Sequence, residues 1–148
     1  MPRCVTRLHA WVYRRSGGRL LGRMGGQPVL LLQTTGRRSG RTRTTPVQYL
    51  VDGDAFVVVA SNAGATRPPA WYLNLRANPH ARIRVGARDI GVRAQEAAGH
   101  ERAERWRQLT AANRYIERAA RKAGRDLPLM ALVPFDPDVA GSSPVAHP

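Results

Sequence analysis

The stretch Thr34-Thr35-Gly36-Arg37-Arg38-Ser39-Gly40-Arg41-Thr42-Arg43-Thr44-Thr45-Pro46 sets Arg37, Arg38, Arg41 and Arg43 in a glycine-punctuated turn between two apolar runs. Guanidinium groups fork onto phosphate or carboxylate oxygens, and Gly36 and Gly40 permit a backbone that exposes successive N–H groups. The chemistry this spacing supports is anion binding. It is not that of a Walker loop, because the glycines stand too close together and no Gly-Lys-Ser or Gly-Lys-Thr follows; a dinucleotide fingerprint is absent too.

A second block, Ala70-Trp71-Tyr72-Leu73-Asn74-Leu75-Arg76-Ala77-Asn78-Pro79, reads as a short helix ended by Asn78-Pro79. Trp71, Asn74 and Leu75 share one face and Tyr72 is expected to point away from it. An indole beside an amide can line a pocket for a flat heterocycle; it can equally plug the end of a barrel, which is the favoured reading from the residues alone. Before this helix, Ser61-Asn62-Ala63-Gly64-Ala65 leaves an apolar strand as a small-residue loop, against whose backbone a ligand ring can lie.

Other chemistries have little support. Ser39 and Ser61 lie in no nucleophile elbow. His9, His80, His100 and His147 are dispersed, so no metal site is expected. Only ten acidic residues are present and no close carboxylate pair sits beside an expected cleft, which argues against glycosidase or two-metal catalysis.

The net charge of +14 is carried almost wholly by arginine, Lys122 being the only lysine. Such a surplus attracts polyanions: nucleic acid, anionic lipid or an acidic cofactor. Cys4 is the only cysteine, so an internal disulfide is excluded and a reducing, cytoplasmic setting fits. No apolar run is long enough to span a bilayer.

The elements that must position these residues follow from periodicity. Residues 5–12 carry Val5, Leu8, Trp11 and Val12 at helical spacing beside arginines, giving a basic amphipathic helix that could serve as a membrane-surface or active-site flap or pack on the barrel. Strands are expected over residues 29–34, 45–51, 55–61, 81–85, 89–95 and 129–133, and helical structure over residues 99–123. Many short antiparallel strands with few helices predict a mainly β (α+β) domain, a small closed or split barrel. The organisation expected is a helix and linker over residues 1–27, a barrel over 28–135 and a disordered tail over 136–148.

In order and spacing, the arginine turn, the Ala60-Ser61-Asn62 strand exit and the Trp71-Tyr72-Leu73-Asn74-Leu75 helix resemble the deazaflavin-dependent nitroreductase family. The resemblance covers residues 29–134. It implies a split β-barrel of the flavin-reductase or FMN-binding type that holds reduced coenzyme F420, a deazaflavin with a phosphate and an oligoglutamate tail. Carried over residue by residue, Arg37, Arg38, Ser39 and Arg43 match the phosphate and tail contacts. Thr44, Thr45, Pro46, Val47 and Gln48 run along the cofactor, Val59, Ala60, Ser61 and Asn62 lie beside the ring, and Ala70, Trp71, Tyr72, Leu73 and Asn74 cover it. Tyr115 matches a tyrosine near the bound substrate, in the catalytic role. Where the family often has Tyr-Pro shortly before that tyrosine, this chain has Ala112-Asn113-Arg114.

The activity so implied is hydride transfer to a small electron-poor acceptor such as a quinone, an enone or a nitroaromatic. Split barrels of this kind often pair as homodimers. Two alternatives remain at this point: an FMN-dependent reductase on the same barrel, and a non-catalytic nucleic-acid-binding barrel, ranked last because the strands lack interleaved exposed aromatics.

Overall fold

The computed structural model describes residues 23–24 and 27–135; the expected first helix and tail lie outside them. In chain order the elements are β1 (Arg23–Met24), β2 (Gln27–Thr35), β3 (Thr42–Gln48), β4 (Leu50–Asp52), β5 (Ala55–Val59), α1 (Ala70–Ala77), β6 (His80–Val85), β7 (Arg88–Glu96), α2 (Gly99–Ala112), α3 (Tyr115–Ala123) and β8 (Leu129–Pro134), with one 3-10 turn at Asn62–Gly64. The eight strands form one antiparallel sheet that runs β2-β6-β7-β8-β5-β4, with β3 and β1 both pairing to β2.

The expected single strand over residues 45–51 is two strands. β3 pairs with β2, whereas β4 pairs with β5 at the far end of the sheet, and only Tyr49 separates them. Two consecutive strands at opposite ends of one sheet force that sheet to curl until its ends approach, which makes the split barrel. Tyr49 sits at the corner, its N–H donating to the Pro28 carbonyl at 3.2 Å and its ring edge-on to Phe56 at 5.6 Å.

Apolar residues fill two cores, one on each side of β5 and β8. Inside the barrel, Leu30, Leu32, Val58, Ile83, Val92, Met130 and Leu132 pack with Trp71, Tyr72 and Leu75 of α1. Outside, Val57 and Leu129 meet Leu109 of α2 and Ile116, Ala119 and Ala123 of α3. Both faces of β5 are therefore covered, which is why Ala55–Val59 reads as a continuous apolar run without alternation. The expected helical span 99–123 breaks at Asn113, whose backbone is extended (φ −147°, ψ 102°) and whose side chain accepts the Tyr115 N–H at 3.0 Å. An asparagine amide that captures a backbone donor two residues on competes with helix continuation and starts a new one.

Candidate active site

The β2–β3 hairpin carries the arginine turn. Across its base the Gly36 N–H donates to the Arg41 carbonyl at 2.7 Å and the Gly40 N–H to the Gly36 carbonyl at 2.8 Å. A Cβ on Gly36 would lie 2.7 Å from Ser39 Oγ and 3.1 Å from the Arg41 carbonyl, so a larger residue would displace the Ser39 hydroxyl and crowd the turn; Gly40 sits at φ +70°. Ser39 Oγ accepts the Arg41 N–H at 3.2 Å, shaping the turn while its own O–H can still donate. Arg37, Arg38 and Arg41 are exposed and Arg43 is half-buried. Among the described residues none of the four meets a carboxylate, although Arg84, Arg105 and Arg107 elsewhere each do.

The turn is tied to α1 through one buried amide. Asn74 Oδ1 accepts the Arg37 N–H at 3.1 Å and the Arg37 guanidinium at 3.4 Å, and Asn74 Nδ2 donates to Thr34 Oγ1 at 3.1 Å. Asn74 and Thr34 are each 3% exposed. At its other side α1 is held by Tyr72, whose O–H donates to Glu96 Oε1 at the end of β7. This corrects the expectation that Tyr72 points away from the Trp71 face: Tyr72 is buried in the same core, because a helix lying across a barrel end buries more than one stripe. Burial, then the hydrogen bond and charge of Glu96, raise the Tyr72 phenol above its ordinary range, so it stays a proton donor at neutral pH.

The remaining candidates divide between faces. Thr45 and Val47 stand opposite Leu32 and Leu30 and share the interior side; Thr44, Pro46 and Gln48 stand opposite Gln33, Leu31 and Val29 on the outer side. The five therefore do not form one lining. Ala60 is buried towards the interior, whereas Val59 packs against the outer helices. Ser61 is half-buried, Asn62 and Ala70 are exposed and Leu73 is half-buried. Tyr115 is 51% exposed at the first position of α3. No hydrogen bond or ion pair among the described residues joins the hairpin to Ser61 or Tyr115.

Three residues that the sequence reading did not assign organise these pieces. Thr34 anchors Asn74. Asn113 bridges β3 to α3, donating through Nδ2 to Gln48 Oε1 at 3.2 Å while it caps Tyr115. Arg125 binds carbonyls of the loop after β5. An asparagine just before a helix start is a readable cap; Arg125 carries no such signal. No group of three His, Cys, Asp or Glu side chains among the described residues could hold a metal ion. No helix among them is long and apolar enough to cross a membrane.

Two concavities, of about 250 Å³ beside Leu31, Gln33 and Arg82 and about 330 Å³ beside Arg102, Trp106 and Asp126, include no residue of the arginine turn or of α1.

A curled antiparallel sheet whose hairpin arginines meet no carboxylate among the described residues defines a protein of the split-barrel class. The model of the F420H(2)-dependent quinone reductase family matches residues 5–134. A Mycobacterium tuberculosis protein named as an F420H(2)-dependent quinone reductase is 41% identical over 133 residues, covering 86% of this chain and 89% of that one. The solved structure of an F420-H2 dependent reductase, FDR-A, superposes with a TM-score of 0.65 at 29% identity over 71% of this chain and 93% of its own. A second solved structure, described as a domain-swapped dimer, gives a TM-score of 0.66 at 29% identity over 83% and 97%. The chain belongs to the F420H(2)-dependent quinone reductase family, and its cofactor is reduced coenzyme F420. The FMN and nucleic-acid alternatives are not favoured.

Proposed function

We propose that the arginine hairpin holds the phosphate and oligoglutamate end of the deazaflavin, while the barrel end under α1 and the loop after β5 receive its ring and a quinone. The observation that carries this is the set of four hairpin arginines with no carboxylate partner among the described residues, tied through Arg37 to the helix over the barrel end. Such a donor set fits a polyanionic tail: neutralising charge is missing within the fold and would come from the ligand.

When bound, reduced coenzyme F420 supplies a hydride and a proton, the two-electron equivalent that converts a quinone into its hydroquinone. The chain's own contribution is placement and charge. Arg37, Arg38 and Arg43 anchor the anionic end, with Arg37 preset by Asn74. Ser61 and Asn62 border the ring. Tyr115, exposed at the start of α3, can donate a hydrogen bond to a quinone oxygen as charge builds on it. Enones and nitroaromatics belong to the same proposal as electron-poor acceptors.

Pairing of two copies is proposed as well, supported by the domain-swapped dimer among the structural relatives. Sedimentation at the mass of one 16.3 kDa chain would overturn it. A cytoplasmic location is proposed on the reduced state expected of Cys4. The membrane contact expected of residues 5–12 lies outside the described residues.

Titration of the protein with reduced deazaflavin, followed by fluorescence, and then anaerobic addition of menadione tests the central reading. Saturable binding followed by cofactor oxidation and hydroquinone formation is expected. Absence of binding, or copurification of FMN with no deazaflavin affinity, would overturn it.

A further inference from the structure

We infer that Arg125 is a positioning residue that sets the loop after β5, and through it the placement of the cofactor ring; the inference rests on the function proposed above. Its guanidinium donates from Nε to the Ala65 carbonyl at 3.2 Å and from one terminal nitrogen to the Ala60 and Arg67 carbonyls at 3.4 and 3.1 Å. The three acceptors lie on both sides of Ser61–Gly64, so one side chain fastens the turn at its start and at its end. Arg125 has no ion pair with a carboxylate among the described residues; carbonyl dipoles are what its charge meets.

The turn needs fastening. Asn62, Ala63 and Gly64 occupy the left-handed region in succession, with φ of 46°, 54° and 78°, a conformation that disfavours both non-glycine residues. Local bonds run from the Gly64 N–H to the Ser61 carbonyl (2.9 Å), from the Ala65 N–H to the Asn62 carbonyl (3.0 Å) and from Asn62 Nδ2 to the Arg67 carbonyl (3.0 Å), and none of them ties the turn to the strand end at Ala60. On the other side α3 abuts Gly64 so closely that a Cβ there would lie 2.9 Å from the Lys122 side chain and 3.3 Å from the Ala119 carbonyl. Gly124, left-handed at φ 63°, ends α3 and turns the chain, and Arg125 follows it directly. The end of α3 thus delivers the guanidinium to the loop whose Ser61 and Asn62 border the ring.

Arg125 need touch no reacting atom for this to matter. A ring displaced by about an ångström from its productive distance to the acceptor loses on the order of a hundredfold in rate, while the hairpin arginines, untouched, would still hold the anionic tail. Lysine cannot substitute, since a single ammonium does not reproduce a planar fork reaching three carbonyls.

The test uses the full chain with Arg125→Ala and Arg125→Lys. Amide hydrogen exchange at residues 62–65, measured without cofactor, is expected to speed up in both variants while β2, β5 and β8 remain protected. With menadione as acceptor, kcat should fall about ten- to a hundredfold, with the deazaflavin dissociation constant changing only about threefold or less. Millimolar guanidinium should restore part of the kcat of Arg125→Ala and none of that of Arg125→Lys. Unchanged exchange and kcat in both variants would overturn the inference, as would a loss of protection throughout the barrel that guanidinium does not reverse. If the wild-type protein itself bound no deazaflavin, the proposed function would fall, and the exchange measurement would still decide whether Arg125 holds the loop.

Discussion

Asn74 Oδ1 receives both the backbone N–H and the guanidinium of Arg37, at 3.1 and 3.4 Å, so the first arginine of the hairpin is oriented by the helix over the barrel end. The link joins the charged turn to the element that covers the barrel interior. Because the same amide donates to Thr34 Oγ1, it also fixes the strand from which the turn departs.

Replacing Asn74 with Ala should leave a buried Thr34 hydroxyl and the Arg37 N–H without their partner. The expected cost is about 1–3 kcal/mol of stability, read by urea denaturation, together with weaker deazaflavin binding. Asn74→Asp keeps the acceptor and loses the donor to Thr34; its carboxylate beside Arg37 would compete with an anionic ligand. It should therefore weaken binding more than Asn74→Ala does, and the reverse order would contradict the assigned role.

The hairpin arginines are exposed or half-buried, so their pull on the cofactor tail should be strong at low salt and screened as salt rises. Arg38→Ala and Arg43→Ala should each raise the dissociation constant for reduced deazaflavin severalfold. They should also flatten its salt dependence, with kcat at saturating cofactor nearly kept. Fluorescence titrations at several salt concentrations decide this; affinity and salt slope that do not move would remove these residues from the site.

The sequence made the hairpin and α1 legible because their signals are local. Gly36 and Gly40 punctuate the turn, and α1 runs from Ala70 to Ala77 as expected, between Pro69 and Asn78-Pro79. What could not be read depended on partners distant in the chain. Residues 45–51 have the pattern of one strand, and only the change of partner from β2 to β5 at Tyr49 divides them. Tyr72 lies off the Trp71 stripe and is buried because α1 crosses the barrel end. Arg125 looks like one more surface arginine until its three carbonyls, 58 to 65 residues away, are brought beside it.

Tyr72 gives the fold a pH dependence of definite sign. Burial and then Glu96 raise its folded pKa above the ordinary phenol value of 10.0, so the folded state binds the proton more tightly than the unfolded state. The stability it contributes is fully present below pH 10 and is lost as pH rises through the folded value. Tyr72→Phe should cost about 1 kcal/mol at neutral pH by removing the hydrogen bond to an exposed carboxylate. It should also show a shallower alkaline loss of stability than the wild type in urea melts between neutral pH and about pH 12. Parallel curves would mean that Tyr72 does not carry the alkaline step.

Asn113 offers a way to test the proposed acceptor role of Tyr115 apart from cofactor binding. Its Oδ1 caps Tyr115 at 3.0 Å and its Nδ2 reaches Gln48 Oε1 at 3.2 Å, so Tyr115 takes its position from β3 through a single amide. Asn113→Ala removes both bonds, and loss of a cap of this kind costs about 1 kcal/mol. The arginine turn and Asn74 make no contact with Asn113, so deazaflavin affinity should hold while KM for menadione rises severalfold. Asn113→Asp keeps the cap and loses the donor to Gln48, and should recover the stability but not the KM. If both variants kept the wild-type KM, neither the bridge nor Tyr115 would be setting the acceptor, and the acceptor would have to be sought nearer Ser61 and α1.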